Sequence, residues 1–191
     1  MESLLREISK CSACAVHLPH GPRPVVAAGV SSKIMIIGQA PGRRVHESGV
    51  PWQDQSGKNL RHWLGVEAEA FYNPALFALV PMGFCYPGAG KSGDLPPRPE
   101  CAPLWHPRLL KQMKSVQLTL LIGQYSQAYY LGGKARENLT ETVRAFRDYL
   151  PRYLPLPHPS PRNRIWLRRN SWFKTELQPV LQQMVAQILR G

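Results

Sequence analysis

Three stretches of this chain gather residue types that do chemistry. The first, GQAPGRRVHESGVPW over residues 38–52, follows an apolar run and sets two glycines around a proline, then two arginines, then a second Gly-x-Pro and an aromatic ring. Glycine permits positive φ and proline fixes φ at about −65°, so such a segment turns tightly. It is not a Walker loop, which needs Gly-Lys-Ser/Thr after four intervening residues, and GQAPG does not give the G-x-G-x-x-G of dinucleotide sites. The second stretch, PLPHPSPRN over residues 155–163, locks His158 between Pro157 and Pro159, which restricts the backbone and so aims the imidazole. Arg162, Arg164, Arg168 and Arg169 follow it at once, as Arg43 and Arg44 follow the first loop. Either cluster alone reads as a solvated basic face; together they suit one anionic ligand. The third group is the cysteines: Cys11 and Cys14 form a C-x-x-C, and Cys85 and Cys101 bracket a Gly- and Pro-rich loop. A C-x-x-C pair can hold one face of a tetrahedral zinc site or a [4Fe–4S] cluster, with the second pair closing it across the fold. Spacing alone selects neither metal, and in a reducing compartment these thiols are ligands or buried groups before they are disulfides.

Positioning these residues falls to four short apolar runs of strand character: Lys33–Ile37, Leu76–Met82, Leu118–Ile122 and Tyr153–Pro157, each ending at a breaker. Helix-like stretches lie between them. Ser56–Leu64 has Ser56 as N-cap and stops before Gly65; Pro103–Lys114 and Gln124–Leu131 have apolar residues suited to one face. Ser171–Leu189 reads as a core-facing amphipathic helix kinked at Pro179, and residues 132–150 fit helix or extended chain equally. Strands that are apolar throughout, alternating with helices, predict a three-layer α/β/α fold with a central, mostly parallel four-stranded sheet. In such sheets ligands bind outside the carboxyl ends of the strands, where both the first loop and His158 lie.

A chain of 191 residues with 43% hydrophobic content is expected to form a single domain over residues 1–191. Its 24 basic against 12 acidic residues, net +12, favour a polyanionic partner and say nothing of fold. No apolar run is long enough to span a bilayer, and residues 1–21 lack the apolar stretch of a signal peptide. A cytoplasmic monomer is expected, nucleoid-associated in a bacterium, with no membrane partner.

GQAPG followed by GVPW, the Cys-x-x-Cys with Cys85 and Cys101, and HPSP together resemble the uracil-DNA glycosylase superfamily over nearly the whole chain. The resemblance is closest to the iron–sulfur family 4, while HPSPRN is similar to the single-strand-selective monofunctional uracil glycosylases. It implies a monofunctional glycosylase that flips a deaminated base, uracil first, out of DNA and hydrolyses its N-glycosidic bond in base excision repair. It also implies a [4Fe–4S] cluster on Cys11, Cys14, Cys85 and Cys101 rather than zinc. His158 and Gln39 become the catalytic candidates, with His158 donating to the pyrimidine O2 as negative charge develops there. Gly38, Ala40, Pro41, Gly42 and Ser160 line the base pocket, Trp52 stacks on the flipped base where the family has Phe, and Arg162 and Asn163 wedge into the base stack.

Several positions depart from the family pattern. Gln39 replaces a Glu, Ala40 stands where the best-known members carry a water-activating Asp, Val45 and His46 occupy positions that are often acidic, and Pro81 stands where family 4 has an Asn that reads the uracil edge. His46, Glu47 and Asp54 are the nearby polar candidates for holding water. No lysine is placed as a Schiff-base nucleophile, so strand cleavage is not expected. The alternative from another class is a non-catalytic binder of damaged DNA that keeps the pocket; a metal-bearing DNA-binding module without a pocket leaves Trp52 and His158 unexplained.

Overall fold

The structure, a computed structural model, describes residues 1–191. In chain order its elements are α1 (Glu2–Ser9), β1 (Ile34–Ile37), α2 (Arg43–Ser48), α3 (Gln55–Leu64), α4 (Ala68–Phe71), β2 (Phe77–Leu79), β3 (Ala89–Gly90), β4 (Gly93–Asp94), α5 (Cys101–Gln112), β5 (Leu118–Ile122), α6 (Gln124–Leu131), α7 (Leu139–Arg144), β6 (Tyr153–Leu156), α8 (Arg164–Arg169) and α9 (Gln178–Arg190). The main sheet runs β2–β1–β5–β6 and every pairing in it is parallel. β3 and β4 form a separate antiparallel ribbon.

All residues of β1 and β5 are buried because helices cover both faces, which is why these runs are apolar throughout and do not alternate. Successive side chains point to opposite faces. Ile34, Ile36, Leu120 and Ile122 pack on one side against Leu60 and Leu64 of α3 and Leu181 and Val185 of α9. Met35, Ile37 and Leu121 pack on the other against Leu4 and Ile8 of α1 and Trp105 and Leu109 of α5. The result is the expected three-layer α/β/α arrangement. β6 carries Pro155 within the sheet, tolerated because β6 is an edge strand. β1 and β6 flank β5 in parallel, so their carboxyl ends open on the same edge, and the two motif loops meet there across the end of β5. No helix is long and apolar enough to cross a membrane.

Three expectations need correction, and one segment left open is resolved. The run Leu76–Met82 yields only the three-residue β2, since beyond it the chain leaves the strand and its amides turn to the loop after β1. The N-cap of α3 is Asp54, not Ser56: its Oδ1 accepts the Gly57 N–H at 2.8 Å, and a carboxylate there also meets the positive end of the helix. At the C-terminal end the helix is not α throughout: a π-turn over Phe173–Leu177 runs directly into α9, and Pro179 sits in the first turn of α9. Residues 132–150 form short helical pieces, α7 among them, with no strand.

Candidate active site

The loop after β1 is held by backbone bonds from the segment after β2. The Met82 N–H donates to Gly38 O at 2.9 Å and the Gly83 N–H to Gln39 O at 3.0 Å. Trp52 lies directly on this loop: a β-carbon at Gly38 would stand 2.7 Å from its ring, so only glycine leaves room for the indole. A β-carbon at Gly57 would stand 1.8 Å from the Trp52 carbonyl oxygen, which fixes glycine in the first turn of α3 as well. Trp52 has φ +58°, the only non-glycine residue with positive φ. Such a conformation costs about 1–3 kcal/mol and persists where the surroundings hold it, as they commonly do at functional sites.

His158 is fixed from three directions. Asn163 Nδ2 donates to the His158 carbonyl at 2.7 Å and Asn59 Nδ2 to the Pro159 carbonyl at 2.8 Å, pinning the backbone on both sides of the ring. The Ser160 N–H donates to His158 Nδ1 at 3.2 Å, so the neutral ring carries its proton on Nε2. Burial pushes the His158 pKa below its ordinary value, against the opposing charges of Asp54 and Asp94, and keeps the ring neutral at pH 7. Its centroid lies 5.9 Å from that of Trp52, with the rings 31° apart.

One cavity of about 360 Å³ gathers these groups: the whole Gly38–Gly42 loop, Trp52, His158, Ser160 and Arg162. Of the residues singled out from sequence as catalytic or base-binding, only Asn163 is not among its lining, because its amide is spent on the His158 carbonyl. Gln39 Nε2 reaches the Leu95 carbonyl at 3.5 Å. Of the three polar candidates, Asp54 lines the cavity, whereas Glu47 is exposed and paired with Arg43 at 2.9 Å, and His46 lies outside it with His20 and Tyr86. A second carboxylate, Asp94 of β4, also lines the cavity. Asn59 and Asp94 carry roles that sequence reading missed; the two-residue turn Lys91–Ser92 between Gly90 and Gly93 was the available signal for the ribbon that delivers Asp94.

Beneath the cavity, Pro81 has no side-chain hydrogen-bonding group, and its carbonyl is taken by His106 Nε2 at 3.0 Å. His106 Nδ1 accepts from the Tyr130 hydroxyl at 2.7 Å, and burial lowers the His106 pKa from 6.5 to about 4. The unfolded chain therefore binds a proton at His106 near pH 6.5 and the native chain only near pH 4. Stability is full above pH 6.5 and falls as pH drops through that window, by about 3 kcal/mol at most from this group. In His106→Gln, whose amide keeps a donor and an acceptor, the melting temperature is expected to fall less between pH 6.5 and 4 than in the wild type.

Basic residues flank the cavity mouth. Arg44, Lys58 and Arg61 line a groove that shares Asp54 with the cavity, and Arg162, Arg164 and Arg168 line another beside Ile165, an apolar side chain 56% exposed. The four cysteines are free and face one small pocket beside Phe84 and Trp105. Cys101 Sγ accepts the Phe84 N–H at 3.3 Å and the Cys14 thiol donates to Glu100 at 3.9 Å. Burial pushes the Cys85 thiol up to about 11 and that of Cys101 to about 12. The sulfurs share a pocket without being drawn into a coordinating set, since no three His, Cys, Asp or Glu side chains are grouped so as to hold a metal ion.

The family model for the uracil DNA glycosylase superfamily matches residues 26–182, a span that includes both motif loops, Trp52 and the Asp94 ribbon but not Cys11 and Cys14. With a parallel sheet whose carboxyl edge joins those loops around one cavity, the chain belongs to the uracil DNA glycosylase superfamily.

Proposed function

We propose that this protein is a monofunctional DNA glycosylase that extrudes a deaminated base, uracil first, and hydrolyses its N-glycosidic bond in base excision repair. The observation that carries this reading is the convergence on one cavity of Trp52 and a neutral His158 whose Nδ1 is taken by the Ser160 N–H, leaving Nε2–H free to donate. An enzyme cannot reach the glycosidic bond inside the stack, and extrusion costs a few kcal/mol. Stacking on Trp52 and phosphate contacts from the flanking arginines and lysine offset that cost without reading sequence. As the bond breaks, the base leaves as an anion whose charge gathers on its carbonyl oxygen, and a positioned Nε2–H lowers the barrier there. The test is incubation with oligonucleotides bearing uracil, hypoxanthine or xanthine, followed by alkali. Alkali-labile sites at uracil are expected; tight binding with no labile site would make the protein a binder of damaged DNA instead.

The cysteine pocket is proposed to hold a [4Fe–4S] cluster, with zinc as the alternative. Four soft thiol donors facing one pocket fit either group by donor chemistry, and the resemblance of these four cysteines to the cluster ligands of the iron–sulfur family favours the cluster. Bound there, the cluster supplies a structural tie. Cys11 and Cys14 would join the N-terminal segment to the loop between Cys85 and Cys101, the thiols ionising on the metal despite their burial. Anaerobically purified protein is expected to be brown, and Cys85→Ala to lose the colour and melt at a lower temperature. Colourless wild type with stoichiometric zinc would refute the cluster.

A further inference from the structure

Hydrolysis at the anomeric carbon needs a water held beside the sugar by an acceptor, and the 38–42 loop supplies no acidic side chain for it. Two carboxylates line the cavity, Asp54 and Asp94. Asp54 is committed to the fold, since its Oδ1 caps α3 through the Gly57 N–H. Asp94 has no such duty. It comes from the β3–β4 ribbon, which stands at the mouth of the cavity on the side where Arg162 reaches out.

The ribbon is held from both motif loops. From the first, Gln39 Nε2 donates to Leu95 O, the residue after Asp94, at 3.5 Å; from the second, Arg162 Nη1 donates to Ser92 O at 3.3 Å. Between these two bonds the Asp94 carboxylate lies against Gly42, 3.4 Å from where a β-carbon there would stand. Tyr86 is buried nearby, and burial first, then the negative charge of Asp94, hold its pKa above the ordinary value. Residue 39 is thereby explained as an amide, because a carboxylate at that position could not donate to Leu95 O and would set a second negative charge beside Asp94.

We propose that Asp94 is the catalytic carboxylate that aligns and deprotonates the attacking water, and that Gln39 and Arg162 are positioning residues that clamp its ribbon over the cavity. This rests on the glycosylase reading above. As the C1′–N bond breaks, its electron pair leaves with the base, whose oxygen receives the hydrogen bond from His158 Nε2–H. The water oxygen bonds to C1′, its proton passes to the Asp94 carboxylate, and that proton is then released to solvent.

The test compares wild type, Asp94→Asn, Asp54→Asn, Gln39→Glu and the Asp94→Asn/Gln39→Glu pair on a uracil-containing oligonucleotide. Single-turnover base release is measured with enzyme in excess, and binding by fluorescence anisotropy. Asp94→Asn is expected to slow release by about 10²–10⁴-fold, the range for a positioned general base, with binding changed by no more than a few-fold. Gln39→Glu is expected to slow release in the wild type but to add little on top of Asp94→Asn, since both would act through one carboxylate; a merely structural Gln39 would add its full effect. Active wild type with Asp94→Asn within a few-fold of its rate, or with only Asp54→Asn impaired, overturns the assignment. Inactive wild type overturns the glycosylase reading and this assignment with it.

Discussion

His158→Ala is expected to slow single-turnover base release by about 10²–10³-fold, the scale for losing one donor aimed at developing negative charge. Binding of uracil-containing DNA should change far less. The reason lies in the ring's protonation: with Nδ1 accepting from the Ser160 N–H, the free donor is Nε2–H, and its partner becomes an anion only as the bond breaks. Burial holds the ring neutral, so the donor is in place through neutral pH without a charge to desolvate. Trp52→Ala should show the opposite division, weakening binding by about 1–3 kcal/mol through loss of a stacking platform. Equal losses of rate and affinity in both variants would mean that the cavity does not separate stacking from charge stabilisation in this way.

The second large effect is on salt dependence. Arg44, Lys58, Arg61, Arg162, Arg164 and Arg168 flank the cavity, and none of them forms an ion pair within the protein. Arg43 does, with Glu47, but in an exposed pair worth little, which leaves its guanidinium open to a phosphate. With about six phosphate contacts, affinity should fall by roughly 10³-fold between about 50 and 200 mM salt. Each alanine substitution among contacting residues should then reduce the log–log slope by about one. A flat dependence would leave the net charge of +12 without a role in binding.

Much of this site was legible because local chemistry fixed it. Continuous apolar runs mark strands buried on both faces, and breakers at their ends mark the loops, so the edge of the sheet where Gly38 and His158 meet followed from pattern alone. Gly38 and Gly57 are different: their necessity comes from the approach of Trp52, a contact that no local pattern encodes. The helix cap fell to Asp54 because α3 starts at Gln55, which places Asp54 at the capping position with Gly57 N–H in reach and leaves Ser56 inside the first turn. Asn59 was invisible because its partner, the Pro159 carbonyl, is distant in sequence. Asp94 was invisible for a related reason, since its position depends on the register Ala89 to Asp94 in an exposed ribbon of two-residue strands within a Gly- and Pro-rich loop.

Hydrolysis of a base held between Trp52 and His158 is tested most directly by single-turnover reaction of a uracil-containing oligonucleotide in heavy-oxygen water, with both products weighed by mass spectrometry. The expected result is unlabelled free uracil, one heavy oxygen on C1′ of an otherwise intact strand, and no DNA left attached to protein. Absence of free base, a broken strand, or DNA covalently bound to the enzyme would contradict it.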